Sequence, residues 1–315
     1  MTADGLFLGV DGGGTKTEFV CVDAAGKVVA RAITGTTYHL QVGHAVVVER
    51  LQEGIGTVCR DLGITPAGIE FGFFGLPAFG EDADADIVLE QACGRLLGHD
   101  RYACGNDVVC GWAGSLGCED GINIVAGTGS IGYGEHQGRT ARAGGWGEVF
   151  GDEGSAYWIA VQGLGLFSRM SDGRAPREAF YDRMRVALAF EQDLDLCQRV
   201  MGPPAMPRGD IAGLAKLVSE AAHDGERGAQ AILAGAADEL AALAFAVRKQ
   251  LDYPEGVPAQ ISWSGGVLLQ EHLVRDAFLA RLAESGAFEP VEPRFPPAQG
   301  AALNARRLAD IRRTG

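Results

Sequence analysis

The feature that most constrains the fold of this chain is an order of short strands that occurs twice. An apolar strand over residues 6–10 leads into a glycine-rich turn, a second strand and a third strand. About 115 residues later the same order begins again at Ile122. A repeat at this spacing predicts two similar α/β units that arose by duplication. We therefore expect residues 1–116 to form one unit and residues 117–295 to form the other, with additional helices in the second.

Charge and composition exclude several classes of protein. The 315 residues include 27 basic and 41 acidic side chains, a formal net charge of −14, with no run of Lys and Arg. Such a chain repels nucleic-acid phosphates, so we expect no nucleic-acid partner. We find no stretch of about 18 apolar residues and no basic region in residues 1–5, and therefore expect a cytoplasmic protein without membrane association. The seven cysteines form no C-x-x-C pair, and the six histidines form no metal-binding motif with them.

Three segments place glycine and a small hydroxyl residue directly after an apolar strand, at residues 11–17, 127–130 and 264–266. Glycine lets backbone N–H groups approach a polyanion, and Thr or Ser adds hydroxyl donors, so these turns predict a site for phosphate groups. The first turn is not a Walker A loop, and it is not G-x-G-x-x-G because a strand follows it. Asp11 ends the first strand. A carboxylate beside a phosphate-binding turn indicates that Asp11 holds Mg²⁺ through water. The alternative is that its side chain forms an Asx turn.

Three longer segments extend this interpretation: D-G-G-G-T-K-T from Asp11, G-T-G-S from Gly127, and G-G-W-G-E-V-F-G-D-E-G-S-A-Y-W-I from Gly144. Together they resemble the N-acetylglucosamine kinase family, within the BadF/BadG/BcrA/BcrD ATPase group of the actin/hexokinase-like superfamily. The resemblance extends over nearly the whole chain, to P-A-Q-G-A-A-L-N-A-R ending at Arg306. It implies an α/β fold of duplicated ribonuclease-H-like domains, with ATP and sugar in an interdomain cleft. It also implies that a helix over 296–312 returns to the first domain and that the protein is a homodimer.

The resemblance implies a role for particular residues. Asp107 follows a short strand, matches the family's catalytic aspartate, and would accept the proton of the sugar 6-hydroxyl as that oxygen attacks the γ-phosphate of ATP. The residues expected to bind ATP and its phosphates are Gly12, Gly13, Gly14, Thr15, Lys16, Thr17, Gly127, Thr128, Gly129, Ser130, Gly265 and Gly266. Those expected to bind the sugar are Tyr38, His39, Gly145, Trp146, Asp152 and Glu153. ATP and Mg²⁺ are the expected cofactors, with the magnesium held by Asp11.

Some of these residues also have simpler structural interpretations. Asp107 alone would be the N-cap of a helix. Asp152 and Glu153 would cap the helix that begins at Ser155, since acids favour a helix N-terminus. Lys16 would be an exposed loop charge.

The identity of the sugar and the reaction class have alternatives as well. Family members often carry Asn before His in the loop after the third strand, where this chain has Tyr38, and the loop over 74–81 is bulkier than the usual Ser/Gly-rich form. N-acetylglucosamine is the expected acceptor, with glucosamine, N-acetylmuramic acid or another hexose derivative as alternatives. The other class is an ATPase that activates a reductase through an iron–sulfur cluster. Cys104, Cys110 and Cys118 lie close together in the sequence, but the cysteine-bearing glycine segment of such activators is absent.

Overall fold

The computed structural model describes residues 5–189 and 191–314. The chain separates into two compact units, one made of the residues up to Asn123 and from Val291 onward, the other of Ile124–Pro290. This division falls inside the strand Gly121–Ala126, a few residues beyond the predicted boundary at 116 and 117. The expectation of a cytoplasmic protein rests in part on residues 1–5, and residues 1–4 lie outside the described residues.

A mixed five-stranded sheet forms the centre of the first unit. Its strands are β1 (Phe7–Gly12), β2 (Lys16–Val22), β3 (Val28–Gly35), β4 (Phe71–Leu76) and β5 (Tyr102–Asn106). Their order is β3-β2-β1-β4-β5. The pairs β1–β2 and β2–β3 are antiparallel, whereas β1–β4 and β4–β5 are parallel. Strand β4 is buried along its whole length, as expected for a strand covered by helices on both faces.

The second unit repeats this sheet. Its strands are β6 (Gly121–Ala126), β7 (Ser130–His136), β8 (Arg139–Gly144), β9 (Ala259–Ser264) and β10 (Phe288–Pro290). Their order is β10-β9-β6-β7-β8, so counting from the β8 edge gives the same arrangement as in the first sheet. β7 and β8 are antiparallel, and β9 and β10 are parallel. The predicted duplication of one α/β unit is therefore confirmed.

Helices cover both faces of the first sheet. They are α1 (His39–Val42), α2 (His44–Leu62), α3 (Ala83–Leu97), α4 (Val108–Leu116) and α13 (Pro297–Thr314). Apolar residues of α2 and α3 pack with Leu8, Phe19 and Phe74 on one face, and the alanine-rich side of α13 packs with Phe7 and Val20 on the other. The small side chains of α13 let this C-terminal helix lie directly on the sheet of the first unit.

The second unit holds the remaining helices, five of them between β8 and the long helix α10. They are α5 (Ala156–Ser171), α6 (Ala179–Leu188), α7 (Asp195–Met201), α8 (Arg208–Gly213), α9 (Ala215–His223), α10 (Arg227–Gln250), α11 (Gly266–Gln270) and α12 (His272–Ser285). These helices lie in the part of the chain where the sequence analysis predicted helical insertions.

Helix α10 bears on the expectation that no segment spans a membrane. Within the described residues it is the one helix long and apolar enough in composition to cross a membrane, although Asp238 and Glu239 interrupt its apolar residues. One side of α10, including Leu233, Leu240 and Val247, is buried, and the helix packs against α12, α9, α5 and strands β7 and β8. Helix α10 is therefore part of the core of the second unit, where a long apolar side is needed to cover a sheet.

Candidate functional site

Two carboxylates lie at the carboxyl edge of the first sheet. Asp11 of β1 pairs in register with Gly75 of β4, and Gly75 pairs with Gly105 of β5, shortly before Asp107. Parallel strands direct their carboxyl ends to one edge, and ligands of α/β sheets bind there. A Cβ at position 75 would lie 3.3 Å from the Cα of Asp107 and 3.2 Å from the backbone oxygen of Val10. Glycine at this position therefore keeps the two acids close together.

Negative charge accumulates around Asp11. Burial raises the pKa of Asp11 well above its ordinary value, and the charges of Asp107 and then Glu18 raise this pKa further. The neighbouring Cys110 thiol, whose S–H donates to the Val10 carbonyl at 3.6 Å, and the charge of Lys16 lower this pKa. Burial and the two aspartates raise the pKa of Cys110 as well, so its sulfur stays protonated and can donate. Carboxylate oxygens under an excess of negative charge fit a hard divalent cation such as Mg²⁺.

The position of Asp107 resembles an N-cap, but its side chain does not cap the helix. Its backbone is already helical, with φ −60° and ψ −22°, and its side chain makes no capping hydrogen bond to α4. The first amide of the helix, that of Val108, donates to Asn106 Oδ1 at 3.2 Å, and Asn106 Nδ2 donates to the Phe79 carbonyl at 3.2 Å. The capping interpretation of Asp107 is therefore wrong, because Asn106 holds the start of α4.

The first glycine loop is a tight connection between β1 and β2. The Gly13 N–H donates to the Lys16 carbonyl at 2.9 Å, and Thr36 Oγ1 donates to the Gly13 carbonyl at 2.7 Å. Below it, Thr17 Oγ1 donates to Thr37 Oγ1 at 3.0 Å, and both residues are buried. The base of the loop is thus fixed by threonine hydroxyls from two strand ends.

The tip of this loop is exposed. Gly14 and Thr15 lie on the surface, whereas Gly12 is buried. A Cβ at Gly14 would meet no atom within 4 Å, so an anion can approach the backbone there. Lys16 Nζ pairs with Glu18 on the same strand, and this contact raises the pKa of Lys16. In the free protein Lys16 is therefore an exposed, paired cation above the loop.

Tyr38 and His39 follow β3 at the start of α1. The Tyr38 N–H donates to Thr36 Oγ1 at 3.0 Å, which connects this turn to the first glycine loop. His39 is only 6% exposed and stacks on His44 with ring centroids 5.3 Å apart. Neither ring nitrogen of His39 has a hydrogen-bond partner among the described residues. Leaving such a buried group unpaired costs about 1–3 kcal/mol, so His39 is suited to bind a polar group of a ligand.

The second glycine loop connects β6 to β7 and contacts the first turn of α5. The Gly127 N–H donates to the Gly129 carbonyl at 2.9 Å, and the Gly127 carbonyl accepts from the Ala156 N–H at 2.9 Å. The Thr128 carbonyl accepts from the Tyr157 N–H at 3.4 Å. The loop thus lies at the N-terminus of a 16-residue helix, where the helix dipole favours negative charge.

Asp152 and Arg208 support the second glycine loop through a hydrogen bond and an ion pair. The Ser130 N–H donates to Asp152 Oδ1 at 3.2 Å, and Ser130 Oγ donates to the Glu153 carbonyl at 2.7 Å. Arg208, at the start of α8, pairs with Asp152 Oδ2 and lies 3.3 Å from Glu148 Oε2. Burial raises the pKa of Asp152, while the Ser130 amide and Arg208 lower it. Asp152 therefore contributes a buried, ion-paired carboxylate to the base of the loop.

Helix α5 is capped by a different residue from those expected. The Trp158 N–H donates to Ser155 Oγ at 3.1 Å, which satisfies the first turn of the helix. The interpretation of Asp152 and Glu153 as caps is therefore wrong.

The segment between β8 and α5 carries the other residues predicted to bind the sugar. The Gly145 N–H donates to the Ser130 carbonyl at 3.0 Å, so this segment is also attached to the second loop. Trp146 is 71% exposed, and Val149 and Phe150 nearby are exposed as well. An exposed indole on a glycine-flanked loop offers an apolar face to a ligand.

Gly265 brings a third glycine turn against the second loop. Its φ of 87° is in the left-handed region, and a Cβ there would lie 2.4 Å from the Ala126 carbonyl oxygen and 2.9 Å from the Gly127 nitrogen. Only glycine satisfies both conditions. Gly266 starts α11, and a Cβ on it would meet no atom within 4 Å. Each predicted phosphate-binding segment thus lies in a defined place, the first in the first unit and the other two together in the second.

Sequence reasoning missed three features of this kind. Cys110 lies on the first turn of α4, and its spacing from Asp107 was a usable signal for contact with the acids. Arg208 follows a Pro-rich break and had no local signal, because the packing of α8 brings it to the loop. Two of the histidines, His223 and His272, converge with Glu271, a cluster without cysteine that the sequence analysis did not consider.

Comparison with known proteins gives a consistent result. An N-acetyl-D-glucosamine kinase from Dictyostelium discoideum is 29% identical over 310 residues, covering 95% of this chain and 97% of that protein. An N-acetylmuramic acid/N-acetylglucosamine kinase from Clostridium acetobutylicum is 27% identical over 277 residues, covering 86% and 88%. A crystal structure from Chromobacterium violaceum, provisionally named an N-acetylglucosamine kinase, has a TM-score of 0.74 and 25% identity, covering 96% of this chain and 99% of that one.

The similarity to that structure confirms the duplicated α/β fold predicted from the sequence. The family model of the BadF/BadG/BcrA/BcrD ATPases matches residues 8–305, which include both glycine loops, Asp11 and Asp107. Because this match extends over nearly the whole chain, the protein belongs to the BadF/BadG/BcrA/BcrD ATPase family.

Proposed function

We propose that this protein is a sugar kinase that transfers the γ-phosphoryl group of ATP to a hydroxyl of an amino sugar, with N-acetylglucosamine as the first candidate. One observation carries the proposal: Asp11 and Asp107 lie together at the carboxyl edge of the first sheet, beside a glycine loop suited to phosphates. A base, a cation ligand and a phosphate loop are the parts that phosphoryl transfer requires. Two relatives over most of the chain are named as kinases of N-acetylglucosamine.

Asp107 is the proposed general base. Its carboxylate accepts the proton of the sugar hydroxyl while the hydroxyl oxygen forms a bond to the γ-phosphorus and the bond from that phosphorus to the β-phosphate oxygen breaks, releasing ADP. The transition state is loose, so positioning and charge stabilisation supply most of the rate enhancement. We place the acceptor at the 6-hydroxyl.

The cation is proposed to be Mg²⁺ near Asp11. The raised pKa of Asp11, caused by burial and by the nearby charges of Asp107 and Glu18, indicates an environment that a divalent cation would stabilise. Asp11 would hold this ion, which would supply positive charge to the phosphates of ATP. The Cys110 thiol donates to the Val10 carbonyl at 3.6 Å, which connects α4 to the end of the strand that carries Asp11.

The glycine loops are the proposed phosphate contacts. In the first unit, the exposed backbone at Gly14 and Thr15 is proposed to bind phosphate. In the second unit, the loop at Gly127 and Thr128 is proposed to bind phosphate together with the N-terminus of α5, and Gly266 to contact the nucleotide.

The sugar side is proposed to include Tyr38, His39, Gly145, Trp146 and Glu153. The unpaired ring nitrogens of His39 support it, because a sugar hydroxyl or amide would satisfy them. One relative acts on N-acetylmuramic acid as well as N-acetylglucosamine, so this second sugar belongs in every test. Asp152 was also predicted to bind the sugar. Its carboxylate is buried and accepts from the Ser130 N–H, so a sugar would have to reach it through the second glycine loop. The homodimer and the cytoplasmic location stay predictions.

A coupled assay of ADP release tests the reaction class. Purified protein with Mg·ATP is offered N-acetylglucosamine, glucosamine, N-acetylmannosamine, N-acetylmuramic acid, glucose or no sugar. Release that depends on one sugar supports the proposal, and mass spectrometry of the product locates the phosphate. Release without any sugar contradicts it and favours the reductase-activator class, for which bound iron is the next measurement.

Asp107→Asn tests the base. We expect sugar-dependent turnover to fall by about 10²–10⁴-fold, the usual contribution of general base catalysis, while ATP binding is retained. Asp61→Asn is the control, because Asp61 is an exposed carboxylate on α2. Equal turnover in the two variants would exclude Asp107 as the base.

A further inference from the structure

Two histidines and a glutamate from separate elements converge on the surface of the second unit. His223 is the last residue of α9, Glu271 caps α12, and His272 is the first residue of α12. One potential ligand atom of each lies within 4.8 Å of the other two. His223 and Glu271 are 48 positions apart in the sequence, so helix packing brings them together.

The spacing of these atoms fits a single ion. His223 Nε2 lies 3.2 Å from Glu271 Oε1. Tetrahedral Zn²⁺ bonds nitrogen and oxygen at about 2.0–2.2 Å, which places two ligand atoms about 3.3–3.6 Å apart. The exposed His272 ring has its centroid 4.7 Å from that of His223 and is tilted by 39°, and a potential ligand atom of His272 lies within 4.8 Å of those of His223 and Glu271.

The carboxylate of this cluster is already held in place. Glu271 is only 12% exposed at its side chain, its Oε1 accepts from the Leu273 N–H at 3.0 Å, and its Oε2 accepts from Ser219 Oγ. Hydrogen bonds of this kind orient a ligating carboxylate and strengthen metal binding. The His223 side chain is 38% exposed, which leaves a side open for an ion to enter and for water to complete its coordination.

We infer that His223, Glu271 and His272 form a binding site for a divalent transition-metal ion, with Zn²⁺ as the best match. Two imidazoles and one carboxylate suit zinc and its first-row neighbours, whereas Mg²⁺ and Ca²⁺ prefer oxygen ligands alone. The site is therefore chemically distinct from the magnesium site proposed at Asp11. Both α9 and α12 pack against α10, so a bound ion links two helices on this core helix and stabilises the folded second unit.

Zinc titration of the purified protein against a fluorescent chelator tests this inference, with thermal unfolding as a second readout. Loss of an outer hydrogen bond alone weakens metal affinity by about 10–100-fold, so we expect His223→Gln and His272→Gln to weaken zinc binding by at least about tenfold each. Gln at position 223 keeps a hydrogen bond to Glu271 but is a poor zinc ligand. His44→Gln and Cys197→Ser are the controls, because they remove an exposed histidine and an exposed thiol elsewhere.

The wild type and both controls should bind one equivalent of Zn²⁺, and zinc should raise their unfolding midpoint. Without zinc, His223→Gln and His272→Gln should unfold at the wild-type midpoint, and a given zinc concentration should raise that midpoint less than in the wild type. The inference is overturned if no tight equivalent binds to the wild type, or if the two histidine variants bind zinc as tightly as the controls. It is also overturned if His44→Gln or Cys197→Ser removes the bound equivalent.

Discussion

Replacing Arg208 by Met removes the cation that pairs with Asp152 and keeps a long, unbranched side chain. The side chain of Arg208 is 34% exposed and that of Asp152 is 4% exposed. Arg183→Met provides a matched control, because Arg183 is 32% exposed but its partner Asp224 is 57% exposed. The two arginines thus differ mainly in the burial of the carboxylate that each leaves behind.

The magnitude follows from this difference in burial. Removing one partner of a fully buried ion pair costs about 3–5 kcal/mol, whereas a surface pair contributes about 0–1 kcal/mol. Because a third of Arg208 is exposed and Asp152 keeps the hydrogen bond from the Ser130 N–H, we expect about 2 kcal/mol for Arg208→Met. For a unit of this size, that corresponds to a fall of about 4–8 °C in Tm. Arg183→Met should cost less than about 1 kcal/mol.

The pH dependence of this loss has a definite sign. Burial raises the pKa of Asp152, and Arg208 lowers it. Without Arg208 the pKa rises further, so folded Arg208→Met takes up a proton at a higher pH than the folded wild type. The destabilisation is therefore complete above the pKa of Asp152 in the variant, and it shrinks as the pH falls through that value because a protonated Asp152 needs no cation.

Urea denaturation at neutral and at mildly acidic pH measures both effects. The KM for ATP gives a functional readout, because Asp152 supports the Ser130 amide in the second glycine loop, and we expect it to rise in Arg208→Met and to stay unchanged in Arg183→Met. Equal losses of stability in the two variants would refute the argument from burial. A loss in Arg208→Met that is constant with pH would refute the role given to the charge of Asp152.

Two further substitutions test residues at the carboxyl ends of β1 and β9. Asp11→Asn should stabilise the ligand-free protein at neutral pH while abolishing turnover. The raised pKa of Asp11 makes wild-type stability fall as pH rises from the unfolded pKa to the folded one, by up to about 1.4 kcal/mol per pH unit, so the stability gap should widen with pH in denaturation experiments. Gly265→Ala should cost more than the roughly 1–3 kcal/mol of a residue held in a sparsely populated backbone region, because its Cβ would lie 2.4 Å from the Ala126 carbonyl oxygen. Gly256→Ala, at φ 77° with no atom within 4 Å of its Cβ, should cost only the backbone part, and equal losses in the two alanine variants would contradict the steric argument.

Local patterns explain which parts of the fold and site were predictable from the sequence. The duplicated strands and the glycine loops each follow from a short run of residues, and the structure has them at the predicted positions. Arg208 reaches Asp152 from 56 positions away, so no spacing rule reveals the pair. Asp152 was expected among sugar ligands as an acid in a glycine-rich loop, and its burial under Ser130 depends on tertiary packing.

The carboxyl edge of the first sheet shows how the fold and the proposed reaction constrain each other. Gly75 allows β4 to pass between β1, which carries Asp11, and β5, which Asp107 follows, and the neighbouring charge of Asp107 raises the pKa of Asp11. This proximity costs the ligand-free protein stability, because two carboxylates near each other in a partly buried place repel. The same excess of negative charge favours a divalent cation and, with it, the phosphates of ATP. A residue pair selected for stability alone would not be acidic at both positions, so the destabilising pair is itself an argument for a ligand at this edge.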